Sequence, residues 1–136
     1  MSFMPWTDDF SIGIAMFDDE HKKLVRMINE LHACIAAGNN EQTVRRVCDE
    51  LVEYTVMHFG HEEMYFYDVS YPDATEHAAI HADMKRKVLE YREKIGRNDS
   101  SNLAIELLSF LRSWLANHIL VEDRKYSEFL KAHHIH

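Results

Sequence analysis

Ten of the 136 residues are histidine, and two pairs of side chains have a spacing suited to gripping an ion. His58 and Glu62 stand four residues apart, as do His77 and His81. On an α-helix that spacing leaves about 40° between side chains one turn apart, so both reach a common point. Imidazole nitrogen and carboxylate oxygen without thiolate suit iron, manganese or zinc. His21 and His118 add two imidazoles, and Asp123 offers a second carboxylate. Five imidazoles are too many for one ion that keeps an open position, so the set reads as a two-metal site. Asp123 lies five residues after His118, about 140° around an ideal helix, and joins only if the helix ends or bulges there.

The elements that must position these groups follow from the apolar spacing. Residues 1–19 carry Trp6, Phe10, Ile12, Ile14 and Phe17 without helical periodicity and read as an extended arm. A first helix is expected from about Asp19 to Ala37, with Leu24, Met27, Ile28, Leu31 and Ile35 inward and Gly38, Asn39 and Asn40 at its end. A second is expected over 41–67 behind an Asn40 cap, with Val44, Val47, Leu51 and Tyr54 inward. Asp73 and Glu76 have capping-box spacing at the head of a third, running to about Ile95 before Gly96. Its inward stripe is Met84, Val88, Tyr91 and Ile95. Ser100 or Ser101 caps a fourth, which carries Leu103, Leu107, Leu111 and Trp114 to about Leu120. Tyr126, Phe129 and Leu130 then suggest a short amphipathic tail helix over 124–136. The expectation is one all-α domain over 1–136, with its bundle over 20–120: an up-down-up-down antiparallel four-helix bundle with an N-terminal extended arm.

Extending each stripe places His58, Glu62 and Tyr65 on the inner face of the second helix, His77 and His81 on the third, His118 on the fourth and His21 on the first. Antiparallel order brings these four places to one end of the bundle. A lone core histidine is ordinarily a hydrogen-bonded structural residue. A whole layer of them, unpartnered, would cost several kcal/mol per group, a cost that metal ligation removes. His61 and His32 fall off the stripes and read as surface positions, His61 with a supporting role open to it, and His133, His134 and His136 as a solvated end. Glu63 reads as a surface or supporting carboxylate.

The formal net charge of −8 disfavours nucleic acid and anionic membrane surfaces. No apolar run approaches the roughly 18 residues of a membrane span. Met1 leads into polar residues without a leader pattern, so the cytoplasm is the expected location. Cys34 and Cys48 sit at different heights beside a turn, which argues against a disulfide.

Taken together, the motifs resemble the hemerythrin family, and most closely its single-domain bacterial members. They are Trp6 with Ile12-Gly13-Ile14, Asp18-Asp19-Glu20-His21-Lys22-Lys23-Leu24, His58-Phe59-Gly60-His61-Glu62-Glu63-Met64, His77-Ala-Ala-Ile-His81, and Trp114-Leu115-Ala116-Asn117-His118-Ile119 followed by Asp123. The resemblance implies two iron ions cycling between Fe2+ and Fe3+, one held by His77, His81 and His118 and the other by His21 and His58. Glu62, Asp123 and an oxo or hydroxo group would bridge them. That count leaves one position open on the second iron for dioxygen, which would receive two electrons from the reduced pair and return them on release. Related positions in the family line an apolar oxygen pocket, here Leu24, Phe59, Trp114, Leu115 and Ile119. Glu20 stands where Gln is frequent and Met84 where Phe is frequent, which touches only the surroundings of the site.

The implied function is oxygen carriage, storage or delivery without catalysis, with a protein recipient of the oxygen left open. One alternative is oxygen or nitric oxide sensing or iron handling on the same site, which in 136 residues would need a separate output partner. A di-iron oxidase is the other, but such bundles carry Glu-x-x-His motifs, and no histidine here has a glutamate three residues before it.

Overall fold

Apolar residues recurring at three and four positions make each long segment of this chain a helix with one buried stripe. The computed structural model describes residues 4–38, 41–97 and 100–135. Within them lie α1 (Ala15–Ala36), α2 (Glu41–Asp68), α3 (Ala74–Arg97) and α4 (Ser100–Asn117), then a π-helical segment (His118–Asp123) and α5 (Arg124–Ala132). A single 3-10 turn (Asp8–Phe10) lies in the arm, and the described residues contain no strand.

Each of α1 and α3 packs against both α2 and α4, which gives the four-helix bundle its square cross-section. Leu24, Ile28 and Leu31 of α1 meet Val44, Val47 and Leu51 of α2 in the core, with Met84, Val88 and Ile95 of α3 and Leu107, Leu111 and Leu115 of α4. Ile35, Tyr91, Leu103 and Trp114, expected inward, are only partly buried against this core. Leu115 takes the inward place at the end of the α4 stripe. At the end of the α2 stripe the buried aromatic is Phe66 rather than Tyr65, which is half covered. Cys34 and Cys48 are buried and form no disulfide. Burial pushes the Cys48 thiol up to about 12, so it stays a protonated packing group. No helix among the described residues is long and apolar enough to cross a membrane.

Three boundaries differ from the sequence expectation. The first helix begins at Ala15 rather than near Asp19, because the arm supplies its own anchor. The Asp18 carboxylate accepts the Ser11 hydroxyl at 2.6 Å and the Ile12 amide at 2.9 Å. Gly13, at φ +78°, makes the turn between them in a conformation that favours glycine. Farther out, Met4 and Asn29 exchange two hydrogen bonds of 2.7 and 2.9 Å, fixing the arm along α1. The third helix runs through Gly96 to Arg97. The fourth does not stop near Leu120 but continues through the π-helical segment into α5. The capping expected of Asn40, Ser100 and Ser101 falls outside the described residues and side chains, as does the turn at Asn39.

Replacing Asp18 with alanine removes the acceptors of the Ser11 and Ile12 bonds. Chemical denaturation is expected to show a loss of about 1–2 kcal/mol with helix content near the parent value. An unchanged denaturation midpoint would mean that these two bonds contribute nothing to the fold.

Candidate metal centre

The helix directions place the beginning of α1, the end of α2, the beginning of α3 and the π-helical segment at one level. There His21, His58, Glu62, His77, His81, His118 and Asp123 are all buried. They fall into two groups whose donor atoms lie within 4.8 Å of one another: Glu62, His77, His81 and His118 in one, and His21, His58 and Asp123 in the other.

The two carboxylates reach across the division. Glu62 Oε1 is 3.0 Å from His58 Nε2 and 3.4 Å from His81 Nε2. Asp123 Oδ2 is 3.0 Å from His21 Nε2, while its Oδ1 is 2.8 Å from His118 Nε2 and 3.2 Å from His77 Nε2. These approaches are close but lack the angles of hydrogen bonds. The Nε2 atoms of all five histidines, with Glu62 Oε1 and both Asp123 oxygens, are buried without a hydrogen-bond partner. Lone pairs from seven side chains therefore converge without satisfying one another, an arrangement that buried polar atoms avoid unless a cation completes it.

Asp123 takes part because of the π-helical segment. An α-helix would turn a residue five positions after His118 well away from it. Bonding to the fifth residue widens the turn and brings Asp123 back toward the same face.

Charge is unevenly shared in the layer. Burial opposes the imidazolium of His58, but Glu62 and the hydrogen bond to Glu20 outweigh it and raise its pKa to about 10. Burial also opposes the imidazolium of His77, yet Asp123 and Glu62 hold its pKa above the ordinary value. His81 goes the other way, lowered by burial and by His77 and His118. Burial and mutual repulsion oppose ionising Glu62, and His58 and His81 still hold it below the usual carboxylate range. Burial likewise opposes ionising Asp123, which His118, His21 and His77 keep well below that range. Protons and cations thus compete for the same atoms.

Sequence reasoning assigned no role to Tyr126 and no partner to Glu20, and left His61 and Glu63 between surface and supporting positions. Glu20, itself buried, accepts from His58 Nδ1 at 2.8 Å and His61 Nδ1 at 2.7 Å. The first of these bonds fixes the His58 tautomer and leaves Nε2 free to face the layer. His61 is 33% exposed at its side chain, so it links the layer to the surface through Glu20. Tyr126 of α5 donates its hydroxyl to Glu62 Oε2. Its position three residues after Asp123 carried the signal, but only if the helix continued. His81 Nδ1 lies 3.5 Å from Glu63, at the outer edge of a contact.

Among the expected pocket residues, Leu24, Phe59, Leu115 and Ile119 are fully buried, while Trp114 is partly exposed. Phe59 stacks on His81 at 3.9 Å, and Trp114 stacks on His118 at 4.1 Å. Both rings thus lie against the three-imidazole group, with Phe59 also 5.7 Å from His58.

Comparison with known proteins agrees with this geometry. A family model described as the hemerythrin HHE cation binding domain matches residues 12–130. The chain is 34% identical over 133 residues to a bacteriohemerythrin of Stenotrophomonas maltophilia, covering 98% of this chain and 85% of that one. A bacteriohemerythrin of Methylococcus capsulatus is 32% identical over 133 residues, covering 97% and 100%. A crystal structure of wild-type hemerythrin superposes with a TM-score of 0.82 at 30% identity, covering 95% of this chain and 98% of that one.

Glu20→Ala should destabilise the fold more than His61→Ala. The first strands a buried imidazole nitrogen, at roughly 1–3 kcal/mol, whereas His61 lies near solvent. Urea denaturation of both variants decides this, and equal losses would show that the Glu20–His58 bond adds nothing to the fold.

Proposed function

Because the chain belongs to the hemerythrin family, we propose that it binds dioxygen reversibly at a non-heme di-iron centre, as a carrier or store in the cytoplasm rather than as an enzyme. The observation that supports this beyond kinship is the division of the imidazoles. Three share one group and two the other, while both carboxylates reach each group. His77, His81 and His118 would hold one ion, and His21 and His58 the other, with Glu62, Asp123 and an oxo or hydroxo group between them. The His21–His58 side then has one protein donor fewer, which is the natural place for a small exogenous ligand. The reduced iron pair supplies the two electrons that dioxygen takes up and gives back.

The protein's own part is to hold, orient and exclude. Glu20 orients His58, and Tyr126 orients Glu62. Leu24, three residues after His21 on α1, and Ile119, next to His118, are fully buried apolar side chains that would wall the ligand space. Water and protons kept out of that space cannot carry the ligand off in reduced form.

Two experiments test the reading. Iron-supplemented protein should hold two irons per chain and show a visible band that appears with air and fades when oxygen is removed. His77→Ala or His118→Ala should lose iron and about 1–3 kcal/mol for each group left unpartnered, while His133→Ala leaves the spectrum unchanged. One metal per chain, or a spectrum indifferent to oxygen, would refute it. In the second, Leu24→Asn or Ile119→Asn should keep both irons yet lose the oxygenated spectrum faster in air. Variants that retain iron and decay no faster than the parent would remove these residues from the pocket.

A further inference from the structure

Tyr54 lies one turn before His58 on the inner face of α2, and its ring stacks on that imidazole at 5.2 Å and 17°. It is 4% exposed, and its hydroxyl is buried with no hydrogen-bond partner. A buried phenol ordinarily finds an acceptor, because leaving the bond unmade is costly. Tyr126, the other tyrosine whose hydroxyl is buried at this level, donates to Glu62.

The unmet donor is not remote from acceptors. Tyr54 stacks on His58, whose Nε2 is 3.0 Å from Glu62 Oε1 and whose Nδ1 donates to Glu20. Its hydroxyl nevertheless donates to none of Glu20, Glu62 and Asp123. Tyr54 also lines a cleft of about 430 Å³ between α1 and α2, beside Lys23, Met27 and Met57. The residue thus stands between an opening to solvent and the His21–His58 side of the layer.

We propose that the Tyr54 hydroxyl is the hydrogen-bond donor to a small exogenous ligand, dioxygen or a compact anion, held on the His21–His58 side. The inference rests on the di-iron reading above and adds a specificity-determining residue to it. An unmade bond in the ligand-free state becomes a made one when the ligand arrives. The hydroxyl thus favours ligands with an accepting atom over purely apolar ones of the same size.

Tyr54→Phe keeps the ring and removes only the donor. The probe is azide, a compact anion that ligates ferric iron, titrated into oxidised iron-loaded protein. Affinity is read from the visible spectrum and, separately, from the rise in melting temperature that azide produces. The variant should hold the parent's iron, bind azide about fivefold or more weakly, and gain a smaller rise in melting temperature. Without azide it should melt no lower than the parent, since it loses an unsatisfied group. Unchanged azide affinity, loss of iron, or a lower melting temperature without azide would each overturn the assignment and leave Tyr54 a packing residue. A parent protein that takes up no iron would instead overturn the di-iron reading, and this inference with it.

Discussion

A carboxylate stripped of water costs several kcal/mol even after a protein relaxes around it, and this chain strips two of them inside one layer. Five buried imidazoles surround Glu62 and Asp123, each presenting a nitrogen that no protein group satisfies. Every other choice at this end of the bundle follows from that condition. The layer is polar and converging; Phe59 stacks on His81 within it, and Leu24, Leu115 and Ile119 are fully buried. Its outer atoms are tied down by Glu20 and Tyr126 so that its inner atoms can face one another. At the opposite end the stripes return to ordinary aliphatic packing, with Val44, Val88 and Ile95 fully covered.

The π-helical segment reconciles this condition with helix geometry. A continuous α-helix can present His118 to the layer, or a residue three or four positions on, but not one five positions on. Widening a single stretch brings Asp123 in, and α5 resumes directly from it. Tyr126 and Leu130 then fall inward, so the last helix roofs the layer rather than trailing into solvent. Tyr126 packs edge-on against Phe17, Phe66 and His77, joining both ends of the chain over the same site.

Much of this was legible in the residues. The His58/Glu62 and His77/His81 spacings, and the level shared by His21 and His118, follow from helical period and antiparallel order alone. The condition on Asp123, that the helix must bulge, could also be stated from its offset. Spacing could not say which way the conflict would resolve, because a π-helical turn and a helix end satisfy it equally. The Glu20 link was hidden for another reason. Its partners are 38 and 41 residues away, and position 20 reveals nothing until α1 and α2 are docked. The helix start at Ala15 was obscured because its anchor, Asp18, lies inside the helix, whereas local patterns look for a cap outside it. Tyr65 and Phe66 exchanged places since adjacent aromatics fit either side of a wide stripe.

The origin of the seven side chains along the chain has a consequence for how the molecule assembles. His58, Glu62, His77 and His81 come from consecutive antiparallel helices, α2 and α3, joined by a short turn. That hairpin can gather its four groups through a short loop, at small entropic cost. His21 waits for α1 to dock, and His118 and Asp123 can join only after the whole of α4 has been laid down. During synthesis α1 to α3 are therefore complete while His118 and Asp123, two of the seven groups, are still to come. The site closes at its C-terminal side, and α5, carrying Tyr126, is the last piece to shut it.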